Sequence, residues 1–155
     1  MEIWLVRHGD AVSDHVDPER PLSTEGRREV EAVARAVARN GKVRPGAIIH
    51  SGKTRARETA EILAAALGAT KALARGDDLA PESDPSVWAE RLEGRADVML
   101  VGHLPHMERL VSLLVGAPDD SATARLVTGT VVCLTREARA ETWSIAWMVT
   151  PALGA

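Results

Sequence analysis

Directly behind the apolar run "EIWLV" the chain places Arg7, His8 and Gly9. Farther along, His50 and Ser51 open a segment that carries Arg55, and His103 follows the run "DVMLVG". Two guanidiniums brought to one point repel unless they share an anion, and their fork geometry suits phosphate or carboxylate. A phosphoryl group held in this way has its charge neutralised without magnesium. A neutral histidine in line with the phosphorus could then attack it, forming a phosphohistidine that water later hydrolyses. A second histidine could donate a hydrogen bond to the transferring oxygens. Helix N-termini after "IIHS" and "VGH" would add oriented backbone N–H groups.

Each piece alone has a plainer reading. A single histidine at a strand end is more often structural than nucleophilic, and Arg55 alone would be a solvated helix residue. His103 and His106, three residues apart, could ligate zinc. However, no Cys or carboxylate completes a set, and the neighbouring arginines oppose a cation. His15, His50 and His106 read as surface residues or as supports behind the site. Asp77-Asp78 and Asp119-Asp120 read as solvated loop charges, and the lone Cys133 as a small apolar residue of a strand.

The elements that must deliver these side chains alternate between strand and helix. "EIWLV" and "AIIH" are short apolar strands. Between them, "STEGRREVEAVARAVARNG" repeats Val30, Val33, Ala34 and Val37 at helical spacing, with Ser23 as its cap and Asn40-Gly41 as its stop. "SGKTRARETAEILAAALG" is a second helix, with Ala56, Ala60, Leu63 and Leu67 on one face and Gly68 ending it. "ATKALARGDDLAPESD" is looser, with one short strand and then a loop. Asp84 caps a third helix whose first position is Pro85. "DVMLVG" is a strand, and "LPHMERLVSLLVG" a helix with Met107, Leu110, Val111 and Leu114 on one side. "RLVTGTVVCLT" and "ETWSIAWMV" close the chain as paired strands at a sheet edge.

This alternation predicts an α/β fold, a three-layer α/β/α sandwich whose central sheet is mostly parallel with an antiparallel edge. Ligands of such sheets bind beyond the carboxyl ends of the strands. The residues directly after three separate strands are Arg7-His8-Gly9, His50-Ser51 ahead of Arg55, and His103. Three distant segments thus bring two histidines and two arginines to one sheet edge.

Composition sets the outer bounds. The 155 residues predict one domain over 1–155, and 45% hydrophobic with 26% charged residues is the balance of a soluble globular chain. No apolar run approaches the roughly 20 residues a membrane span needs, and Glu2, Arg7 and His8 do not fit a signal peptide. The single cysteine suits a reducing cytoplasm. A net charge of −3 argues against nucleic-acid binding, and with Phe and Tyr absent only 4 Trp remain for base stacking. No G-x-G-x-x-G follows a strand, which argues against a dinucleotide-binding oxidoreductase.

"LVRHGDA" resembles the Arg-His-Gly signature of the histidine phosphatase superfamily, which includes phosphoglycerate mutases and acid phosphatases. Further features match in order: "RPLSTEG" from Arg20 to Gly26, "IIHSGKTRARETAEIL" with the second phosphate-binding arginine at Arg55, "LVGHLP", and the closing "VTGTVVCL". The resemblance implies a phosphoglycerate mutase-like fold with His8 as the phosphorylated nucleophile. It implies that Arg7, Arg55 and His103 hold the phosphoryl group, with Gly9 and Arg20 lining the substrate site. It implies no metal or other cofactor. In this superfamily the nucleophilic ring is held through one nitrogen by a backbone hydrogen bond, which suits Gly9.

"RHGDA", "RPLS" and "GHLPH", together with the short chain, are most similar to the SixA-type branch, the protein phosphohistidine phosphatases. That resemblance implies a phosphohistidine-bearing partner: a histidine-phosphotransfer domain of a two-component relay, or a phosphocarrier protein. Ester hydrolysis in the superfamily uses a mid-chain Glu or Asp as acid, and here Asp77, Asp78 and Glu82 are the candidates. Phosphohistidine leaves as an imidazole and depends less on such an acid. A small-molecule phosphomonoesterase, and a non-catalytic phosphate-binding module, stay open as alternatives. Two positions depart from the family pattern. Gly52 replaces a usual proline, predicting a looser loop before Arg55, and His106 stands where an apolar residue is usual.

Overall fold

The computed structural model describes residues 1–118 and 123–154. Asp119 and Asp120 lie outside the described residues. Strands β1 (Glu2–Arg7), β2 (Ala47–His50), β3 (Leu73–Arg75), β4 (Val98–Gly102), β5 (Val131–Thr135) and β6 (Ser144–Val149) form one sheet in the order β3-β2-β4-β1-β5-β6. β1, β4, β2 and β3 run parallel, β5 is antiparallel to β1, and β6 is antiparallel to β5. This is the expected sandwich with its antiparallel edge.

Helices α1 (Thr24–Arg39) and α2 (Thr54–Ala66) cover one face, and α3 (Pro85–Arg91) and α4 (His106–Leu114) the other. A strand buried on both faces needs no polar alternation, so "EIWLV" is apolar throughout. Ile3 and Leu5 enter the core beneath α3 and α4, while Trp4 and Val6 enter the core beneath α1 and α2. Both helix caps read from the sequence are formed. Ser23 Oγ accepts from the Gly26 N–H at 2.9 Å, and Asp84 Oδ1 accepts from the Ser86 N–H at 2.9 Å. Asn40 caps α1 and Gly41 follows at φ 69°. A four-residue turn, α5 (Pro151–Gly154), was not legible in the sequence.

The closing strands are shorter than expected. "RLVTGTVVCLT" becomes a strand only from Val131, and "ETWSIAWMV" only from Ser144. Gly129 at φ 80° turns the chain, and residues 125–130 wrap back over the end of β1 instead of extending the sheet. Trp143 turns inward and packs in the core beneath α3 and α4. The lone Cys133 is fully buried, and its thiol is pushed up to about 12, chiefly by burial. No helix among the described residues is long and apolar enough to cross a membrane.

Candidate active site

The carboxyl edge of β1 and β4, neighbours in the sheet, delivers the two histidines. Arg7 ends β1 and pairs in register with Gly102, so His8 and His103 leave adjacent strands side by side. Their ring centroids are 5.0 Å apart at 50°. Both are buried, at 8% and 1% exposure. His8 Nδ1 donates to the Gly9 carbonyl at 2.7 Å. That bond fixes the proton on Nδ1 and leaves Nε2 as a lone pair.

Gly9 is gripped from every side. Its N–H donates to Thr59 Oγ1 at 3.0 Å, and Thr59 donates in turn to the Arg55 carbonyl at 2.7 Å. One hydroxyl thus ties the loop of His8 and Gly9 to the helix turn that carries Arg55. A Cβ at residue 9 would lie 2.5 Å from Val30 Cγ2, so the room a side chain would need is occupied by α1. The missing side chain therefore serves close packing with α1, and both backbone polar groups of Gly9 are bonded within the protein. Thr59 lies in the segment whose likeness to the superfamily the sequence shows, but the sequence assigns it no role; the structure gives it this one. Its signal was present in "RARET", where a threonine four residues after Arg55 lands one helical turn onward.

Three arginines act on His8. Arg7 donates through Nη1 to the Leu126 carbonyl at 2.8 Å, and Arg20 through Nε to the Val12 carbonyl at 3.1 Å. Arg20 itself holds a left-handed φ of 46°. Arg55 makes no guanidinium hydrogen bond or ion pair among the described residues, and the buried Nε atoms of Arg7 and Arg55 have no protein partner. Burial lowers the pKa of both guanidiniums, and Arg20 lowers that of Arg55 further. His8 is lowered from 6.5 to about 4 by burial, then by Arg55, Arg7 and Arg20, against the raising effect of its Gly9 bond. His103 is lowered to about 3 by burial and by His8, Arg55, Lys53 and His106. Near neutral pH both rings are uncharged while the arginines keep their charge, which surrounds the His8 lone pair with positive charge.

His103 Nε2 lies 2.6 Å from Ser51 Oγ, while its buried Nδ1 has no partner. A buried N–H without an acceptor costs more than a lone pair without a donor, so the proton belongs on Nε2, donated to Ser51. His50 is buried behind this point, and its Nδ1 accepts from the Gly52 N–H at 3.1 Å. Gly52 sits at φ 91°, a backbone that proline cannot adopt, with a would-be Cβ 2.7 Å from Arg75 Nε. The turn before Arg55 is thus one that glycine forms readily, and the Gly52 and Lys53 N–H groups donate to His50 Nδ1 and Ser51 Oγ.

The other candidates lie elsewhere. Asp78 pairs with Arg91 at 2.7 Å, the Asp77 carbonyl accepts from Trp88 Nε1 at 2.9 Å, and Glu82 is exposed. His15 is exposed, whereas His106 is completely buried with both ring nitrogens unpartnered. Among the described residues no three His, Cys, Asp or Glu side chains converge as a metal-ligand set.

A buried neutral imidazole held by a backbone carbonyl lies here beside a second imidazole and among the charges of three guanidiniums, an arrangement suited to an anion. Residues 3–80 match the histidine phosphatase superfamily, branch 1, and the chain belongs to that superfamily. Its fold is that of the short SixA-type members. The protein histidine phosphatase SixA, solved in complex with tungstate, superposes with a TM-score of 0.83 at 25% identity over 98% of both chains. An uncharacterized protein of Picosynechococcus sp. (strain PCC 7002) is 40% identical over 116 residues, 69% of this chain and 68% of its own. The alpha-ribazole phosphatase from Shigella flexneri shares the fold with a TM-score of 0.74 at 15% identity, over 100% of this chain and 99% of its own.

Proposed function

We propose that this chain hydrolyses phosphohistidine on a phosphotransfer protein, without a metal ion, through a phosphohistidine formed at His8. Arg7, Arg20 and Arg55 neutralise the phosphoryl oxygens, and His103 donates its Nε2–H to one of them in place of Ser51. His8 Nε2 attacks phosphorus as the P–N bond to the substrate imidazole breaks, and that imidazole leaves with a proton from water. Water then attacks the phosphorus of phospho-His8, releasing orthophosphate and restoring the neutral ring.

The observation that carries this reading is the sign of the charges around the two rings. His8 feels Arg55, Arg7 and Arg20, and His103 feels His8, Arg55, Lys53 and His106. Among the described residues no carboxylate is one of them. An alkoxide leaving group would need a strong acid at this point, whereas an imidazole, once protonated, does not. The likeness to SixA, a protein histidine phosphatase, agrees. The second reading, a small-molecule phosphomonoesterase, draws on a cleft of about 310 Å³ beside Arg7 that has room for a small organic group.

Rapid quenching tests the covalent route. After mixing with a ³²P-labelled histidine-phosphotransfer protein, label is expected on this chain in an acid-labile, alkali-stable linkage, and absent from His8→Ala. Phosphate release without any such species contradicts it. Asp77→Asn, Asp78→Asn and Glu82→Gln are each expected to keep release within about twofold, since none acts on the rings. Selective collapse of ester turnover at one of them would favour the phosphomonoesterase.

A further inference from the structure

Arg7 rests on a stretch of backbone that is itself held in place. The Leu126 carbonyl accepts from Arg7 Nη1 at 2.8 Å, and the Leu126 N–H donates to Glu108 Oε1 at 3.0 Å. Leu126 is thus gripped at both of its backbone groups, by the phosphate-binding arginine on one side and by a carboxylate of α4 on the other. The same loop returns to β1. The Gly129 N–H lies 3.2 Å from the Arg7 carbonyl and 3.0 Å from the His8 carbonyl, and the Arg7 N–H donates to the Thr130 carbonyl at 3.1 Å. Arg7, Glu108 and Leu126 line one cleft together with Leu104, Arg125 and Val127. Glu108 also counters the effect of burial on the Arg7 guanidinium by favouring its charged form.

We propose that Glu108 is a positioning residue for the phosphoryl clamp: it fixes Leu126, on which Arg7 Nη1 rests, and so leaves Arg7 Nε free for the phosphoryl group. This rests on the phosphatase reading of the site. The arrangement also ties α4, the helix that begins just after His103, to the opposite wall of the site. A glutamine at position 108 could still accept from the Leu126 N–H but would carry no charge, whereas a methionine would fill the same space and hold nothing.

Binding of orthovanadate, followed by isothermal titration, reads the clamp without any substrate. Glu108→Met is expected to weaken vanadate about tenfold and Glu108→Gln about threefold, with both thermal midpoints close to wild type. Arg7→Ala is expected to weaken it more, and Arg7→Ala/Glu108→Met to bind no worse than Arg7→Ala alone, because Glu108 acts through Arg7. In ester turnover the Glu108 variants should raise KM more than they lower kcat. Unchanged vanadate affinity in both Glu108 variants, or a loss that adds in full to that of Arg7→Ala, overturns the proposal while leaving the clamp reading intact. Failure of the wild-type protein to bind vanadate, or indifference to Arg7→Ala, overturns the clamp reading and the proposal with it.

Discussion

At the scale of single residues, the site works by keeping histidines neutral next to arginines that cannot be. His8, the proposed nucleophile, loses its lone pair only when Nε2 is protonated, and its pKa is lowered to about 4 by burial and three guanidiniums. The His8 ring should therefore stay neutral from neutrality down to about 5 and protonate only below that, as read by NMR titration of its ring. A midpoint near 6.5, the ordinary histidine value, would contradict this environment. Thr59 offers a second test at this scale. Thr59→Val leaves the Gly9 N–H buried without an acceptor and unties it from the Arg55 turn. It is expected to cost about 1–3 kcal/mol in stability, read by urea unfolding, and about tenfold in kcat/KM. His8, His103, Arg7 and Arg55 were legible because strand ends in a parallel sheet must converge. Thr59 was not, because its role is a hydrogen bond to a backbone group 50 residues away.

At the scale of elements, the fold repeats one device, a helix packed so closely on a site loop that only glycine fits. A Cβ on Gly26 in the first turn of α1 would come within 2.0 Å of the Asp10 carbonyl oxygen, and one on Gly9 within 2.5 Å of Val30. Gly9→Ala should therefore unfold at markedly lower urea, and Val30→Ala added to it should recover part of the loss. Equal loss in the double variant would contradict the packing argument. Helix α4 carries an opposite case. His106 is completely buried and unpartnered at the position where the family pattern predicts an apolar residue. Its pKa is lowered to about 4, chiefly by burial. His106→Leu is expected to stabilise the protein by about 1 kcal/mol, read by urea unfolding, and a loss of stability would assign the ring a polar role. Caps and helix faces were legible because they are local. The truncation of the closing strands was not, because β1, on which β5 pairs, ends at Arg7 and Gly129 turns the chain there, a pairing of segments more than 120 residues apart.

At the scale of the whole molecule, four histidines have pKa values lowered in the fold: His8, His50, His103 and His106, each chiefly by burial. The unfolded chain takes up their protons near 6.5. As pH falls below that, protons bind the unfolded state first and stability is lost, continuing down through about 4 as His8 and His106 titrate in the fold and about 3 as His103 does. Urea midpoints should decline over that window, and less steeply in His106→Leu; a flat profile would contradict the buried neutral rings. The sandwich and its antiparallel edge followed from alternating strand and helix signals, while the substrate is fixed by surface chemistry that no periodicity encodes. The activity proposed for the whole chain is phosphohistidine hydrolysis at His8. It is tested most directly by phosphate release from a phosphorylated histidine-phosphotransfer protein and, in parallel, from p-nitrophenyl phosphate, both with EDTA. Rapid release from the phosphoprotein, abolished in His8→Ala, beside weak ester turnover is the expected result. Efficient ester turnover with an inert phosphoprotein would contradict it.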